Sequence, residues 1–273
     1  MTLAWLEGDL TSIALCWRLD RRDGVAIGFT SHDRDLAIDG LVYRAAPGMT
    51  PSAVSVSDGF EVDTLDVSGA LTSDAITAGD MAAGRWDGAA ARLFAVDWRD
   101  PGGGSLHLTR GELGDVAIRD GAFSAELRGP TALLERLVVE RTSPECRASL
   151  GDRRCRVDMA PRTRFARIVA VGDATTVTVD ATEPEAGAYG YGRIDWIEGA
   201  NSGMASLIAG SDGATIMLRE PAPFAVEIGG LVRLREGCDR ALATCRDRFA
   251  NAINFRGEPY LPGNDLLTRY PGA

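Results

Sequence analysis

Apolar and polar residues alternate along most of the first half of the chain, which is the period of a β-strand with one buried face. Short alternating runs occur from residue 15 to about residue 128 and are separated by turn residues. Asp-Gly pairs, which are typical of tight hairpin turns, stand at Asp23-Gly24, Asp39-Gly40 and Asp120-Gly121. The pattern predicts a series of β-hairpins in this region.

A second set of alternating runs fills residues 157–235. Turn residues separate these runs at intervals of roughly ten residues, a spacing typical of small all-β units. We therefore expect a small β-barrel or curled sheet here. It would be inserted between two segments that each carry a pair of cysteines.

Four segments have other signatures. Helical spacing of Leu3, Leu6, Leu10 and Ile13 predicts an amphipathic helix over residues 2–15. Residues 73–83 are more helical, with Asp74 placed to cap them, and Pro130 is well placed in the first turn of another amphipathic helix. Residues 246–254 are also predicted helical, whereas prolines and glycines favour an extended chain over residues 255–265.

Together these patterns predict a mainly β fold of the α+β class. With 273 residues the chain exceeds the size of most single cores. We assign residues 1–129 to tube-like N-terminal sheet domains. Residues 130–156 and 236–273 form a discontinuous cysteine-bearing C-terminal module, and residues 157–235 form the inserted barrel.

Charge and composition narrow the function classes. The formal net charge of −10 disfavours general nucleic-acid binding, which needs a basic face to displace counterions from phosphates. Residues 1–19 carry Glu7 and Asp9 where a secretory signal has positive charge, so we expect neither a signal peptide nor membrane insertion. The sequence has only two histidines, His32 and His107, which makes a catalytic triad or a multi-histidine metal site difficult to build.

Four of the five cysteines form two short-range pairs, Cys146 with Cys155 and Cys238 with Cys245. Thiolates are ligands of zinc and of iron–sulfur centres, and four of them complete a coordination shell. If they meet in space, a metal centre joins distant parts of the chain. The fifth, Cys16, lies among apolar residues and is expected to be a buried, unreactive thiol.

Spacing alone leaves several explanations open. Neither pair has the C-x2-C or C-x4-C form of a zinc knuckle, and the C-x2-C-x2-C run of ferredoxins is absent. Disulfides need an oxidising compartment, whereas we expect a reducing cytosol. Four unrelated buried thiols also remain an explanation.

Helix geometry and neighbouring charge add two further expectations. On one helix Cys238 and Cys245 would stand about 10 Å apart along the axis, which is wide for one zinc ion unless the helix ends between them. Arginines lie beside the cysteines, and they would either lower the thiol pKa values or form a solvated surface. These are Arg147, Arg153, Arg154, Arg156, Arg240 and Arg246.

Residues 143–155 and 237–263 resemble the C-terminal signature of a phage tail family. That family includes the minor tail protein L of lambda-like siphophages and the hub proteins of gene transfer agents. Residues 28–36, 67–76 and 84–88 resemble the same hub proteins, so the likeness covers nearly the whole chain. The cysteine pairing is its most specific part.

This resemblance implies a baseplate hub protein, structural and not enzymatic, located at the tail tip of a virion or particle that assembles in the bacterial cytoplasm. It implies a [4Fe–4S] cluster on Cys146, Cys155, Cys238 and Cys245. It also implies a homotrimeric ring that contacts a distal tail protein and a central tail tip or fibre protein. DNA would pass through the ring without specific binding.

Two alternatives from other classes stay open. One is an iron–sulfur electron carrier or redox sensor, although the sequence has no flavin, nicotinamide or radical motif. The other is a zinc-stabilised binding module. The glycine-rich segment 187–192, with its tyrosines, is either a contact toward a partner or a plain hairpin tip.

Overall fold

The structure is a computed structural model that describes residues 4–7, 12–45, 50–51, 64–70, 77–119, 122–129 and 139–261. It divides into two compact units, Met1–Val138 and Val139–Ala273. Among the described residues no helix is long and apolar enough to cross a membrane.

The described strands of the N-terminal unit form a nine-stranded sheet in the order β3-β4-β2-β1-β7-β8-β9-β6-β5. Neighbouring strands are antiparallel except β2 and β4, which are parallel. The strands are β1 Ile13–Asp20, β2 Ala26–Thr30, β3 Leu36–Ile38, β4 Leu41–Ala45, β5 Thr50–Pro51, β6 Thr64–Ala70, β7 Ala90–Asp97, β8 Ser105–Arg119 and β9 Ala122–Arg128.

Strand β1 shows why this sheet forms. Successive side chains of a strand point to opposite faces, and here both faces are covered. Trp17 belongs to one buried cluster, with Leu93, and Cys16 to another, with Phe94 and Val96. Cys16 is fully buried and its sulfur lies 3.6 Å from the Thr30 hydroxyl, as expected for a structural thiol.

The helix predicted over residues 2–15 is wrong where the structure describes it. Ala4–Leu6 form a short 3-10 helix, and Ile13 and Leu15 belong to β1. The helical spacing is outweighed by pairing, because β1 forms ladders with β2 on one side and β7 on the other. Leu15 pairs with Ala95 in the second ladder.

The helix predicted over residues 73–83 is shorter in the described residues. Helix α1 spans Ala78–Ala82, and the Thr77 hydroxyl oxygen caps it by accepting a bond from the Asp80 N–H at 3.0 Å. Asp74, the predicted cap, lies outside the described residues, as does the helix predicted after Pro130.

The predicted small barrel is confirmed. Six antiparallel strands close in the order β10-β11-β14-β13-β12-β15, and side chains such as Ile168, Ile194 and Leu234 fill its interior. The strands are β10 Thr163–Val171, β11 Thr176–Val179, β12 Arg193–Trp196, β13 Ala205–Asp212, β14 Thr215–Leu218 and β15 Leu231–Arg235.

After the barrel, helix α2 spans Leu242–Asp247, and a short 3-10 helix covers Ala252–Asn254. The prediction of one helix over residues 246–254 is therefore wrong in both its start and its continuity. Ala250 interrupts it with a φ of 47°, in the left-handed region that helices avoid.

Candidate metal centre

The four paired cysteines line one cavity in the C-terminal unit. Cys146 and Cys155 lie in irregular chain before β10, Cys238 follows β15, and Cys245 lies in α2. The barrel strands separate the two pairs in sequence, so only the fold brings the four sulfurs to one place. Apolar side chains complete the lining, among them Ala148, Leu150, Val157 and Phe249.

The loop between the first two cysteines is organised by Asp152. Its carboxylate accepts backbone N–H bonds from Ser149, Arg154 and Cys155 at 2.9, 2.8 and 2.7 Å. Gly151 has a φ of 79°, which a residue with a side chain rarely adopts. The result is a tight turn that directs Cys155 back toward Cys146.

A second acidic residue organises the other pair. Asp239 accepts a bond from the Ala241 N–H at 2.9 Å and another from the Thr244 hydroxyl at 2.8 Å. Helix α2 begins only after Ala241, so Cys238 and Cys245 do not share a helix. The axial separation expected for two cysteines on one helix therefore does not apply.

Three of the sulfurs accept hydrogen bonds from N–H groups. The backbone N–H of Arg240 donates to Cys238 at 3.4 Å, and that of Arg256 donates to Cys146 at 3.4 Å. The Asn251 side-chain amide lies 3.7 Å from the Cys155 sulfur. Such donors stabilise negative charge on thiolate ligands and tune metal–sulfur centres.

Backbone bonds tie the two cysteine segments directly to each other. The Cys146 N–H donates to the Arg240 carbonyl at 2.9 Å. Buried Asn251 adds two more bonds as a donor: its backbone N–H donates to the Cys245 carbonyl at 2.9 Å, and its side-chain amide donates to the Cys155 carbonyl at 2.6 Å. Sequence reasoning missed Asn251, since a single asparagine carries no spacing signal.

An ion pair joins the segment that contains Cys146 to the chain around residue 258. Arg147 donates to both carboxylate oxygens of Glu258, at 2.6 and 2.9 Å, in the bidentate geometry that makes such pairs strong. Glu258 also accepts a bond from the Ser143 N–H at 2.9 Å, and its own N–H donates to the Ser143 carbonyl at 2.8 Å. Arg147, and then the bond that the Ser143 N–H donates to the carboxylate, lower the pKa of Glu258 to about 2.

The arginine side chains near the cysteines do not lower the pKa of Cys238 or Cys245. Burial, and then the neighbouring cysteines, raise the pKa of Cys245 to about 11. Burial also raises the pKa of Cys238, and the bond from the Arg240 backbone N–H opposes this only in part. Several of these arginines are instead held in ion pairs: Arg147 and Arg154 with Glu140, and Arg246 with Asp247. Burial thus favours the neutral thiols of Cys238 and Cys245, and a bound cation would reverse that preference.

The donor set limits what the pocket can hold. Within the described residues, no group of three or more His, Cys, Asp or Glu is arranged to hold a metal ion. The four cysteines nevertheless share one lining. These four thiols, in a lining without imidazole or carboxylate, are the residues that could hold a metal ion or an iron–sulfur cluster.

Comparison with known families bears on both units. Residues 2–158 match the family described as "Baseplate hub protein, N-terminal attachment domain". The chain belongs to this baseplate hub family. Residues 187–265 match a second family, described as "Phage conserved hypothetical protein BR0599". The first match contains Cys146 and Cys155, and the second contains Cys238 and Cys245.

A solved structure agrees with this hub-family assignment. The chain is 38% identical to one in the structure titled "Virion of native gene transfer agent (GTA) particle". The alignment covers 98% of this chain and 94% of that one, with a TM-score of 0.86. No curated protein matches. The resemblance to hub proteins is thus confirmed, and the chain is a structural component of a tail baseplate.

Proposed function

We propose that this baseplate protein forms a trimeric ring at the tail tip and that a [4Fe–4S] cluster on Cys146, Cys155, Cys238 and Cys245 stabilises its C-terminal unit. The observation that carries the cluster is the single cavity lined by all four cysteines. The ring is supported by family membership and by the likeness to a chain of a gene transfer agent particle.

The resemblance of both cysteine segments to the hub-protein signature favours iron–sulfur ligation over zinc. The pocket fits such a cluster, because it supplies four thiols without imidazole or carboxylate and three of the sulfurs accept N–H bonds. Four cysteines also hold structural zinc, so metal analysis has to separate the two. When bound, the cluster would supply positive charge that keeps all four thiolates deprotonated. Ligation by four cysteines leaves no open coordination position, so the centre is structural rather than catalytic.

In this proposal the cluster acts as a cross-link. The segments around Cys146 and Cys238 have few buried apolar side chains of their own, and hydrogen bonds between them do much of the joining. Metal binding to such a site contributes directly to folding. The cluster would hold residues 143–156 against residues 238–258 and fix both at the end of the barrel.

The ring gives the protein a mechanical role. Three copies would connect the distal tail protein to the central tail tip protein and leave a lumen for DNA. The net charge of −10 suits a conduit, because an acidic wall repels phosphates and keeps DNA from binding to it.

Anaerobic purification of the full chain tests the cluster. We expect a brown sample with about four irons and four sulfides per chain, and loss of both in Cys245→Ser. Cys16→Ser is the matched control, because Cys16 lies in the N-terminal unit and should leave the iron content unchanged. A colourless sample with stoichiometric zinc would instead establish the zinc-stabilised module.

Two further measurements test the remaining parts. A reversible redox potential at which the fold is unchanged, together with a reductase partner, would favour the electron carrier over the structural cross-link. Electron microscopy of purified tails should show three copies of the chain in one ring at the tip. Any other copy number would contradict the trimer.

A further inference from the structure

A row of arginines crosses the outer face of the barrel. Arg193 on β12 pairs with Leu207 on β13 and, on its other side, with Arg235 on β15. The backbone of Arg219, just after β14, bonds to Leu207 at 2.8 Å and continues the row. Three positive charges thus lie on one line of an acidic protein, with one apolar side chain between them.

This row has an electrostatic cost that the fold only partly offsets. Like charges directly opposite each other in a sheet are destabilising, and Arg193 and Arg235 are such a pair. Asp195 bonds to both, at 2.8 and 3.0 Å, and to Arg233 at 2.9 Å. One carboxylate shared by three guanidiniums leaves an excess of positive charge that an anion could neutralise.

The row forms one wall of a groove of about 810 Å³, within the range of ligand-binding clefts. Arg240 lies on another part of the lining. Among the described residues, Arg219 and Arg240 make no ion pair with a carboxylate, so their guanidiniums are available to a ligand. Arginine binds carboxylates and phosphates through two parallel N–H bonds.

An exposed aromatic ring stands at the edge of the same groove. Tyr191 is 72% exposed and has a φ of 60°, a conformation that is strained for a bulky residue. Its loop is rigidly supported, because a Cβ on Gly192 or Gly237 would overlap backbone atoms of the other segment. Backbone strain maintained by the surrounding structure is a feature of binding sites.

We propose that this groove binds an acidic saccharide, through arginine contacts to its carboxylate or phosphate and packing of a sugar face on Tyr191. Glu145 and Asp239 also line the groove. Carboxylates accept hydrogen bonds from sugar hydroxyls. They would repel the closely spaced phosphates of a nucleic acid, whose binding needs a continuous basic track.

The barrel also disfavours an extended peptide. Peptides add to sheets along an unpaired strand edge. The strands that carry the arginine row are paired on both sides within the closed barrel, so no such edge is offered. Side chains therefore provide the recognition, which suits a ligand with one anionic group and several hydroxyls.

Titration calorimetry on the full, metal-loaded chain tests the proposal. The probes are trigalacturonate and mannose 6-phosphate, which distinguish a sugar carboxylate from a sugar phosphate, with neutral galactotriose as reference. We expect saturable binding of at least one acidic sugar, about tenfold or more tighter than galactotriose. Arg219→Ala and Tyr191→Ala should each weaken it by about tenfold, and added salt should weaken it further.

Arg167→Ala is the matched control, because Arg167 is an exposed arginine of the same barrel that does not line the groove. It should leave the affinity within about twofold of wild type. Equal affinity for galactotriose, equal loss in all three variants, or no acidic sugar bound would overturn the proposal. Inorganic phosphate binding as tightly as the sugars, or oligothymidylate binding more tightly through Arg219, would overturn it as well. The visible spectrum reports cluster loading separately, so a failure of saccharide binding can be distinguished from a failure of the proposed cluster.

Discussion

Different interactions stabilise the interior of each of the two units of this chain. The N-terminal sheet buries side chains on both faces, with Trp17 and Leu93 on one face and Phe94 and Val96 on the other. The cysteine-bearing segments of the C-terminal unit are joined by backbone bonds, Asn251 and the Arg147–Glu258 pair. The barrel between them has an apolar core of its own. Segments without a core depend on polar ties and on covalent or metal cross-links, and the predictions below test this difference.

Removing the proposed cluster should have the largest effect. In Cys245→Ser, or after chelation, we expect amide-exchange protection to be lost in residues 143–156 and 238–258. Protection in β1, β7 and the barrel strands should persist, because apolar cores hold them. Hydrogen exchange followed by mass spectrometry measures each segment separately. Simultaneous loss of protection in β1 would contradict the claim that the N-terminal sheet is stabilised independently of the cysteine segments.

The converse variant damages the N-terminal core. Leu93 is fully buried, and Leu93→Ala should cost about 2–5 kcal/mol of unfolding free energy in that unit. Leu106→Ala makes the same chemical change at a side chain that is 37% exposed and should cost far less. Denaturant unfolding followed by tryptophan fluorescence measures the cost, and the iron content should stay constant in both variants. Lost iron in Leu93→Ala would argue against separate stabilisation.

A smaller effect is expected where the barrel meets the cysteine segment. Gly237 precedes Cys238, and a Cβ there would overlap backbone atoms of Gly190, Tyr191 and Gly192. Gly237→Ala should destabilise the C-terminal unit by about 1–3 kcal/mol and weaken cluster retention. The control is Gly172→Ala, whose new Cβ would make ordinary contacts at 3.5 Å. Thermal unfolding monitored at the visible band compares the two, and equal midpoints would refute the expectation.

The smallest effect concerns acid. Arg147 and the Ser143 N–H hold the pKa of Glu258 at about 2, below its ordinary value of 4.5. The pair therefore contributes stability above about pH 4.5, and this contribution is lost as pH falls toward 2. Glu258→Gln should be less stable than wild type at pH 7, with the difference shrinking below about pH 4.5. Denaturant titrations from pH 7 to pH 3 measure the difference in unfolding free energy between Glu258→Gln and wild type, with Glu145→Gln as control. A difference that stays constant over this pH range would show that the Glu258 carboxylate is not its cause.

Several elements followed from local pattern alone. The hairpin turns at Asp23-Gly24 and Asp39-Gly40 lie where the Asp-Gly pairs indicate, because this turn chemistry is local. The barrel was predictable from evenly spaced alternating runs. The first strand was not, because Leu10, Ile13 and Ala14 also satisfy helical spacing, and only pairing with β2 and β7 decides between the two. Likewise α2 starts earlier than its sequence indicates, since Asp239 bonds to the Ala241 N–H and the Thr244 hydroxyl beside its first turn.

The amino-acid sequence by itself determined the mainly β class, the hub-family signature and which cysteines pair along the chain, because alternation, turn chemistry and residue spacing are local properties. Tertiary structure alone decided that both cysteine pairs line one cavity, that Asn251 and Glu258 support it, and that Arg193, Arg219 and Arg235 share one row. Those juxtapositions depend on barrel closure and strand register. Register is set by the packing of the whole sheet, and no short stretch of sequence contains it.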